Sequence, residues 1–199
     1  MSFHVRDQHN HYFYSDFIMK KALSALALTA GVFSSAAFAN TGQINFQGTV
    51  TSGTCSIEII DPRTGLPLTR IDLGNVPSTY FKNVNDELGM RSFVMRVTPG
   101  AGCDTSATST GNVTFTSGYG STGPANNLYA LEPGSVGELG LAIKDKNNQL
   151  IAYGTESIDY DLDDTDPTDM LFSAAYRATK IPVTAGTANT SVNFVFTMK

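Results

Sequence analysis

Histidine and concentrated positive charge are scarce in this sequence, and both scarcities exclude classes of function. The three histidines, His4, His9 and His11, lie within the first eleven residues, so the rest of the chain has no imidazole to serve as a general base or a metal ligand. The thirteen basic residues are outnumbered by eighteen acidic ones and form no cluster beyond the pair Lys20 and Lys21. Nucleic acid is therefore not an expected partner.

Residues 19–39 are predicted to be a secretory signal peptide. Lys20 and Lys21 provide its positive start, an apolar stretch follows from 22 to 33, and small residues lead to Ala39, after which cleavage is expected. The apolar stretch is shorter than the about 20 residues that a membrane-spanning helix needs. The pattern thus indicates export of a cleaved chain.

Residues 1–18 precede the positive residues with which a signal of this type should begin. We interpret them as an upstream extension from a misassigned start, with Met19 as the true first residue; a longer genuine signal that begins at Met1 is the alternative. The mature chain then starts at Asn40. It keeps ten of the thirteen basic residues and sixteen of the eighteen acidic ones, so it is mildly acidic.

The mature chain offers little for catalysis and is expected not to be an enzyme. Ser and Cys nucleophiles normally need a basic partner, most often His, and none remains. A glycosidase would need two convergent carboxylates, and the sequence singles out no pair. The densest acidic stretch, residues 159–169, departs from a calcium loop at Asp164, where the pattern has Gly, and at Met170, where it has Glu. It is expected to be a solvated acidic loop, and neither a metal nor another cofactor is expected.

The two cysteines, Cys55 and Cys103, are predicted to form a disulfide. An even number of cysteines in an exported chain is typical of an oxidising compartment. A closed loop of 48 residues corresponds to about 4 kcal/mol of stabilisation in the chain-entropy description. A metal or redox site is not favoured, because there is no CxxC spacing and no later histidine.

Apolar residues beyond the signal recur at every second position, which predicts an all-β fold. Turn-rich pieces such as 61–65, 99–102, 117–127 and 144–148 separate these runs. Short strands at such intervals over 160 mature residues favour a single antiparallel sandwich domain. The alternating sets are Ile44, Phe46 and Val50; Phe93, Met95 and Val97; Val113 and Phe115; Leu139, Leu141 and Ile143; and Val192, Phe194, Phe196 and Met198.

Five segments in order give the mature chain a resemblance to the type 1 fimbrial pilin family. They are residues 43–50 followed by Cys55, the LGxV element at 73–76, Cys103 with Asp104 and Thr105, the FxAxYxAT strand at 172–179, and an alternating C-terminal strand preceded by Gly186, the fourteenth residue from the end. Each segment is weak alone, but their order is specific and covers essentially the whole mature chain. Met198 is a departure, because the family usually has Tyr next to last; Met keeps an apolar side chain without the hydroxyl.

The resemblance implies an incomplete immunoglobulin-like β-sandwich that lacks its last strand, with residues 53–199 as the pilin domain. Such a domain exposes an apolar groove and an unpaired strand edge, which a strand from another protein can complete. A periplasmic chaperone is implied to fill the groove first. The N-terminal donor strand of the next subunit, residues 40–52, is then implied to replace it at an outer-membrane usher. The donor residues would be Ile44, Phe46, Gly48 and Val50.

The C-terminal residues are implied to line the groove and to contact the chaperone, with the Lys199 carboxylate as an anchor. They are Gly186, Val192, Phe194, Phe196, Met198 and Lys199. Periodicity alone would instead make residues 44–50 the first strand of a complete sandwich. The short extension before Cys55 favours a minor or adaptor subunit over a major rod subunit.

The function that the resemblance implies is that of a structural subunit of a chaperone–usher fimbria. The chain would pass through the periplasm to the cell surface, polymerise by donor-strand exchange with neighbouring pilins, and support adhesion. A tip-associated adhesin that binds a host glycan is the alternative, although such adhesins usually carry an additional receptor domain. Tyrosines that could stack on a sugar are Tyr119, Tyr129, Tyr153 and Tyr160.

Overall fold

A computed structural model describes the backbone of residues 42–48 and all of residues 55–199. The predicted signal peptide, the upstream extension and Val50 lie outside these residues. Within them, one 3-10 turn occurs at Ser78–Tyr80, and the remaining elements are strands. In chain order these are β1 (Gly42–Gly48), β2 (Ser56–Ile60), β3 (Ile71–Gly74), β4 (Glu87–Thr98), β5 (Thr110–Ser117), β6 (Ser121–Thr122), β7 (Leu128–Tyr129), β8 (Leu139–Lys144), β9 (Leu150–Ile151), β10 (Tyr160–Asp161), β11 (Thr168–Ala178) and β12 (Thr190–Met198).

The strands form two sheets whose inner faces pack against each other. The first sheet has the order β10-β5-β12-β1-β3, and the second has the order β2-β4-β11-β8-β7-β6 with β9 beside β8. Neighbouring strands are antiparallel, except that β1 runs parallel to β12. The predicted all-β antiparallel sandwich is confirmed.

Aromatic side chains fill the space between the sheets. Phe172, on β11, is 1% exposed, and its ring contacts those of Phe93 at 5.6 Å, Phe115 at 5.3 Å and Tyr160 at 5.4 Å between centroids. Phe93 and Phe172 belong to one sheet, and Phe115 and Tyr160 belong to the other. The cluster therefore joins the two layers, and each buried ring stabilises the contact between them.

The alternating sets predicted for β4, β5 and β8 face this core. Phe93, Met95 and Val97 are buried along β4, as are the predicted residues of β5 and β8. On β11, the FxAxYxAT pattern places Phe172 and Tyr176 inward, and the inward alanines Ala174 and Ala178 leave room for the large rings. Strand alternation in the sequence was thus a sound guide to which side chains are buried.

Cys55 and Cys103 form the predicted disulfide. Their Cα atoms are 4.4 Å apart, and both residues are buried. Cys55 directly precedes β2 in one sheet, and Cys103 lies in the connection between β4 and β5. The bond therefore fixes the chain at the point where it passes from one layer to the other.

The position beside β12 is occupied by β1 in this structure. Ile44 pairs with Thr190 and Gly48 with Phe194, and on the other side Ile44 pairs with Ile71 of β3. The expectation that the sandwich lacks its last strand is therefore not confirmed. Only the backbone of β1 is described, so the donor roles of Ile44, Phe46 and Gly48 stay predictions.

No helix among the described residues is long and apolar enough to cross a membrane.

Candidate functional site: the edge of strand β12

Strand β12 is paired unequally along its two edges. Its β5 edge is paired from Val192, opposite Ser117, through Met198, opposite Gly111. On the β1 edge, pairing runs only from Thr190 to Phe194. Within the described part of the chain, residues 195–198 therefore have a strand partner on one side only; we call these residues the open half of β12.

The exposure of the inward-facing side chains increases along β12 as the second partner strand ends. Val192 is completely buried and Phe194 is 9% exposed, whereas Phe196 is half-buried and Met198 is 38% exposed. Apolar side chains on a half-covered strand edge favour the addition of another strand. The structure thus brings four of the predicted groove residues into one row, and two of them remain accessible.

Gly111 on β5 provides the space for the Phe196 ring. A Cβ atom at position 111 would lie 2.5 Å from Cε2 of Phe196, a separation too short for any side chain, and the Leu162 side chain lies 3.3 Å away from the same point. Gly111 itself pairs with Met198. Because the ring lies over the backbone of Gly111, this glycine keeps the open half of β12 flat against β5.

The C-terminal residue is held by both its backbone and its side chain. The Lys199 amide donates to the Thr110 carbonyl at 2.8 Å, and the Thr110 amide donates to a carboxylate oxygen of Lys199 at 3.1 Å. The Lys199 ammonium group contacts Glu156 at 2.9 Å and Asp159 at 3.2 Å. The sequence had suggested only the carboxylate of Lys199 as a functional group, so these side-chain contacts are new.

Asn112 completes what we call the Lys199 cluster, which consists of Asn112, Glu156, Asp159 and Lys199. The Asn112 amide nitrogen donates to Glu156 at 3.0 Å and to Asp159 at 2.9 Å, and the residue is completely buried. Hydrogen bonds from Asn112 and Lys199 hold the pKa of the Asp159 carboxyl below its usual range. The two carboxylates in turn raise the pKa of the Lys199 ammonium group. The cluster therefore fixes the end of β12 to the loop before β10.

Gly186 lies at the opposite end of β12 from Lys199, in the wall of a small apolar cavity of about 20 Å³. A Cβ atom at position 186 would lie 3.0 Å from Cγ2 of Val136. The Tyr176 hydroxyl, which borders the same cavity, donates to the Ala188 carbonyl at 2.6 Å. Gly186 thus borders the covered end of β12 and is separated from the open half.

The LGxV element of the sequence begins with Leu73 and Gly74, the last two residues of β3, the strand on the far side of β1. Leu73 is buried, and Gly74 has a φ of 74° where the β1–β3 register shifts. Gly89 on β4 approaches this strand closely, since a Cβ atom there would lie 2.8 Å from the Leu73 carbonyl oxygen. Its φ of 73° is also one that favours glycine. This role of Gly89 could not be predicted from the sequence, because the close approach is between residues of two different sheets.

The tyrosines considered for glycan binding do not form a common surface. Tyr129 and Tyr160 belong to the core and are therefore not accessible to a sugar, and the Tyr160 hydroxyl donates to the Leu171 carbonyl at 2.7 Å. Tyr153 packs against Tyr129 at 5.7 Å between ring centroids. Tyr119 is 42% exposed. Short two-residue strands bury Tyr129 and Tyr160, and such strands give too little alternation to be recognised in a sequence.

Among residues 55–199, no three His, Cys, Asp or Glu side chains come together in a group that could hold a metal ion.

Comparisons with known proteins match this fold and strand arrangement. The family model described as "Fimbrial protein" matches residues 44–199. Long polar fimbria protein A of Salmonella typhimurium is 30% identical over 182 residues, which cover 90% of this chain and 97% of that protein. The chain is a β-sandwich subunit of the kind from which surface fibres are built. It belongs to the fimbrial protein family, the pilins of the type 1, chaperone–usher class.

Solved structures show the same fold. The P pilus rod subunit PapA is 16% identical with a TM-score of 0.51, and the match covers 73% of this chain and 99% of that one. The CupB6 tip adhesin of Pseudomonas aeruginosa is 21% identical with a TM-score of 0.51 and 80% coverage of this chain. This chain spans only 37% of that adhesin. The immunoglobulin-like fold expected from the sequence is confirmed. The members of this family are structural pilins, which are not enzymes and which assemble into a pilus on the cell surface.

Proposed function

We propose that this pilin polymerises by donor-strand exchange, in which β1 of one subunit pairs with β12 of another. The unequal pairing of β12 is the observation that carries the proposal: β5 pairs with residues 192–198 on one edge, whereas β1 pairs only with residues 190–194 on the other. Strand addition at such an edge forms backbone hydrogen bonds and buries alternate side chains. A strand supplied by another subunit need not lead into Cys55, so it is free to extend along the open half and cover Phe196 and Met198.

Pairing within the chain and pairing between chains exclude each other in this proposal. While β1 lies on its own β12, the backbone groups of residues 190–194 are occupied, and β1 is not available to a neighbour. Release of β1 therefore provides both a donor and an acceptor. An intermolecular strand that covers more of β12 buries more apolar area, which favours the assembled state.

Export and chaperone capture precede assembly in this proposal. The signal at 19–39 directs the chain to the periplasm, where a chaperone strand covers the β12 edge until an usher at the outer membrane permits exchange. The exposed Met198 and Lys199 support this order, because they leave the end of β12 accessible. Met198 supplies the apolar contact for which the family usually has Tyr, and the Lys199 carboxylate serves as the anchor.

A pair of variants in the donor strand tests the proposal in cells. Phe46→Asp places a charge among the predicted donor residues, whereas Asn45→Asp, one position earlier, lies on the other face of the strand. We expect Phe46→Asp to be secreted, oxidised and bound by the chaperone but to be absent from fibres, and Asn45→Asp to be incorporated. Normal incorporation of Phe46→Asp would refute the donor role.

Guanidinium unfolding tests the acceptor edge in vitro. The oxidised chain from Asn40 to Lys199 is unfolded alone, with a peptide that copies residues 40–52, and with the same peptide carrying Phe46→Asp. Specific binding at 100 times Kd stabilises the chain by about 2.7 kcal/mol, and only the unmodified peptide should do so. If the chain is firmly folded and neither peptide changes its stability, it is a complete sandwich, and the mechanism is contradicted. If the chain is only marginally stable and neither peptide stabilises it, its groove needs the donor strand of a different subunit, as expected for an adaptor.

A further inference from the structure

A groove outside the β12 edge lies between the loop that follows β2 and the adjacent part of β4. Its volume is about 780 Å³, and its lining includes three arginines, two aspartates (Asp61 and Asp72) and several apolar side chains. We call it the arginine groove and define it by five of these residues: Arg63, Arg70, Met90, Arg91 and Leu171. Met90 is 50% exposed and Leu171 is 40% exposed. The groove thus combines positive charge with accessible apolar surface.

Two of the three guanidinium groups have no carboxylate partner among the residues that the structure describes. Arg63 is neutralised by Asp61 at 3.1 Å. Arg91 donates to the backbone carbonyl of Asp72 at 3.2 Å, and among residues 55–199 neither Arg91 nor Arg70 has a carboxylate within ion-pair distance. A guanidinium group at an exposed surface is suited to bind a carboxylate from another molecule.

The complementary charge is found in the turn between β10 and β11. Asp163, Asp164 and Asp166 are exposed there, and residues 163–167 are called the acidic turn. The Asp163 carboxylate accepts hydrogen bonds from the amides of Thr165 and Asp166, both at 2.8 Å, which fixes the shape of the turn. No described cation lies within ion-pair distance of Asp164 or Asp166. The turn is therefore a preformed, unneutralised acidic projection.

The groove and the turn lie at different positions along the strand pair β4–β11. Leu171 in the groove is opposite Val94, and Thr168, which follows the turn, is opposite Val97. Three residues correspond to about 10 Å along a strand. The groove of one copy would meet the turn of another, so contact between copies would be heterologous: each copy could bind one neighbour through its groove and a second through its turn.

We propose that the arginine groove of one copy binds the acidic turn of a second copy. The chain as a whole carries a formal charge of −5, so an extended polyanion would be repelled by most of the surface around the groove. A compact acidic turn needs only the groove itself. This contact involves neither β1 nor β12, so it would connect subunits side to side, independently of the strand exchange proposed above.

Charge reversal on each side provides the test. The groove variant carries Arg70→Glu and Arg91→Glu, and the turn variant carries Asp164→Arg and Asp166→Arg. A matched control carries Lys82→Glu and Lys180→Glu, which change the net charge as the groove variant does but lie outside the groove. All are made in a full chain that also carries Phe46→Asp, so strand exchange does not contribute to the association.

Sedimentation velocity at low and high salt measures the association. We expect the parent and the control to associate at low salt, with weaker association at high salt. The association constant of each reversed variant should be lower than that of the parent by roughly tenfold or more. An equimolar mixture of the two reversed variants should restore association, because the Glu-containing groove then meets an Arg-containing turn and the unchanged groove meets an unchanged turn. If the Arg91 substitution prevents folding, Arg70→Glu alone is compared with Lys82→Glu.

Three outcomes would overturn the proposal. The first is a parent that stays monomeric at low salt. The second is a failure of charge reversal to act as expected, either because a reversed variant associates as the parent does or because the mixture restores no association. The third is loss of heparin binding in the groove variant with self-association unchanged, which would make the occupant an acidic polysaccharide. Each outcome is independent of donor-strand exchange, which the incorporation of Phe46→Asp into fibres tests separately.

Discussion

Phe172 and Phe196 lie on strands of the same sandwich but in opposite surroundings. Phe172 is 1% exposed on β11, which is paired with β4 on one side and β8 on the other. Phe196 is half-buried on β12, at a position whose only strand partner within the described residues is β5. Both residues occur in alternating apolar strands, so the amino-acid pattern does not distinguish them. The difference comes from whether a second strand is present beside each one.

This comparison separates stability from assembly. A strand with partners on both edges has its backbone groups satisfied and its inward side chains covered by its own chain. The open half of β12 depends on another strand for the same burial. Substitutions in the aromatic cluster should therefore affect folding, whereas those in the open half should affect binding.

The largest expected effect is that of Phe172→Ala. Removal of a ring that contacts three other aromatic side chains should destabilise the oxidised chain by about 4–5 kcal/mol. Phe196→Ala removes a half-buried ring and should cost only about 1 kcal/mol. Guanidinium unfolding of both variants measures the two values.

The same two variants should differ in the opposite direction in peptide binding, with the larger loss in Phe196→Ala. Phe196→Ala should weaken binding of the 40–52 peptide, while folded Phe172→Ala should keep it. Equal losses of stability in the two variants would show that the open half of β12 is part of the core after all.

Removal of the disulfide should have the next largest effect. Cys55→Ala combined with Cys103→Ala opens a loop of 48 residues, and the chain-entropy description gives a loss of about 4 kcal/mol. Both sulfur atoms are distant in sequence from β12, so peptide binding by the fraction that folds should be unchanged. A stability within about 1 kcal/mol of the oxidised chain would mean that the reduced unfolded state is already restricted near these residues.

Strand identity was predictable where alternation extends over several residues. The spacing of Phe93, Met95 and Val97 predicts a strand on which they share one face, and on β4 all three are buried. The disulfide followed from the count of cysteines. These features are local or depend on one simple rule, so a single sequence contains enough information to find them.

The rest of the site depends on contacts between residues that are far apart in the sequence. Asn112, Glu156 and Lys199 meet only after β5 and β12 have paired. Another example is Glu87, which contacts Lys144 and Arg177 across three strands of the second sheet. Charged and amide side chains show no periodicity that would indicate such partners, so these contacts could not be predicted.

Alkaline pH should weaken the aromatic cluster before it affects the β12 edge. Burial raises the pKa of Tyr160 to about 12, above the unfolded value of about 10. The neutral phenol is therefore favoured in the folded chain, and its stabilising contribution is complete below pH 10 and is lost as the pH rises through the folded pKa. Burial also raises the pKa of Tyr129 and Tyr176.

Unfolding free energies measured between about pH 9 and pH 12 check this expectation. Stability should decrease above pH 10, with each tyrosine contributing up to about 1.4 kcal/mol per pH unit. Tyr160→Phe should reduce the slope, although it also removes the hydrogen bond to the Leu171 carbonyl. An unchanged slope in that variant would mean that Tyr160 becomes ionised in the folded chain as easily as in the unfolded one.

The smallest effect is expected at the Lys199 cluster and should be confined to the end of β12. Asn112 and Lys199 hold the pKa of Asp159 below its usual range. For a carboxyl group with a lowered pKa, the stabilising contribution is present above the unfolded value of about 3.9 and is lost as the pH falls through the folded value. Asp159→Asn should therefore loosen the C-terminal residue at neutral pH and make little difference in acid.

Hydrogen exchange of the Lys199 amide, which donates to the Thr110 carbonyl, reports this loosening directly. Its protection factor should fall in Asp159→Asn at neutral pH and should converge with that of the unsubstituted chain only as the pH falls through the lowered pKa of Asp159. Asp104→Asn removes an exposed carboxylate elsewhere and should leave the Lys199 amide unchanged. If the protection factor in Asp159→Asn equals that of the control at neutral pH, the backbone pairing with Thr110 alone holds the end of β12. The open half would then be fixed by β5 rather than by charge.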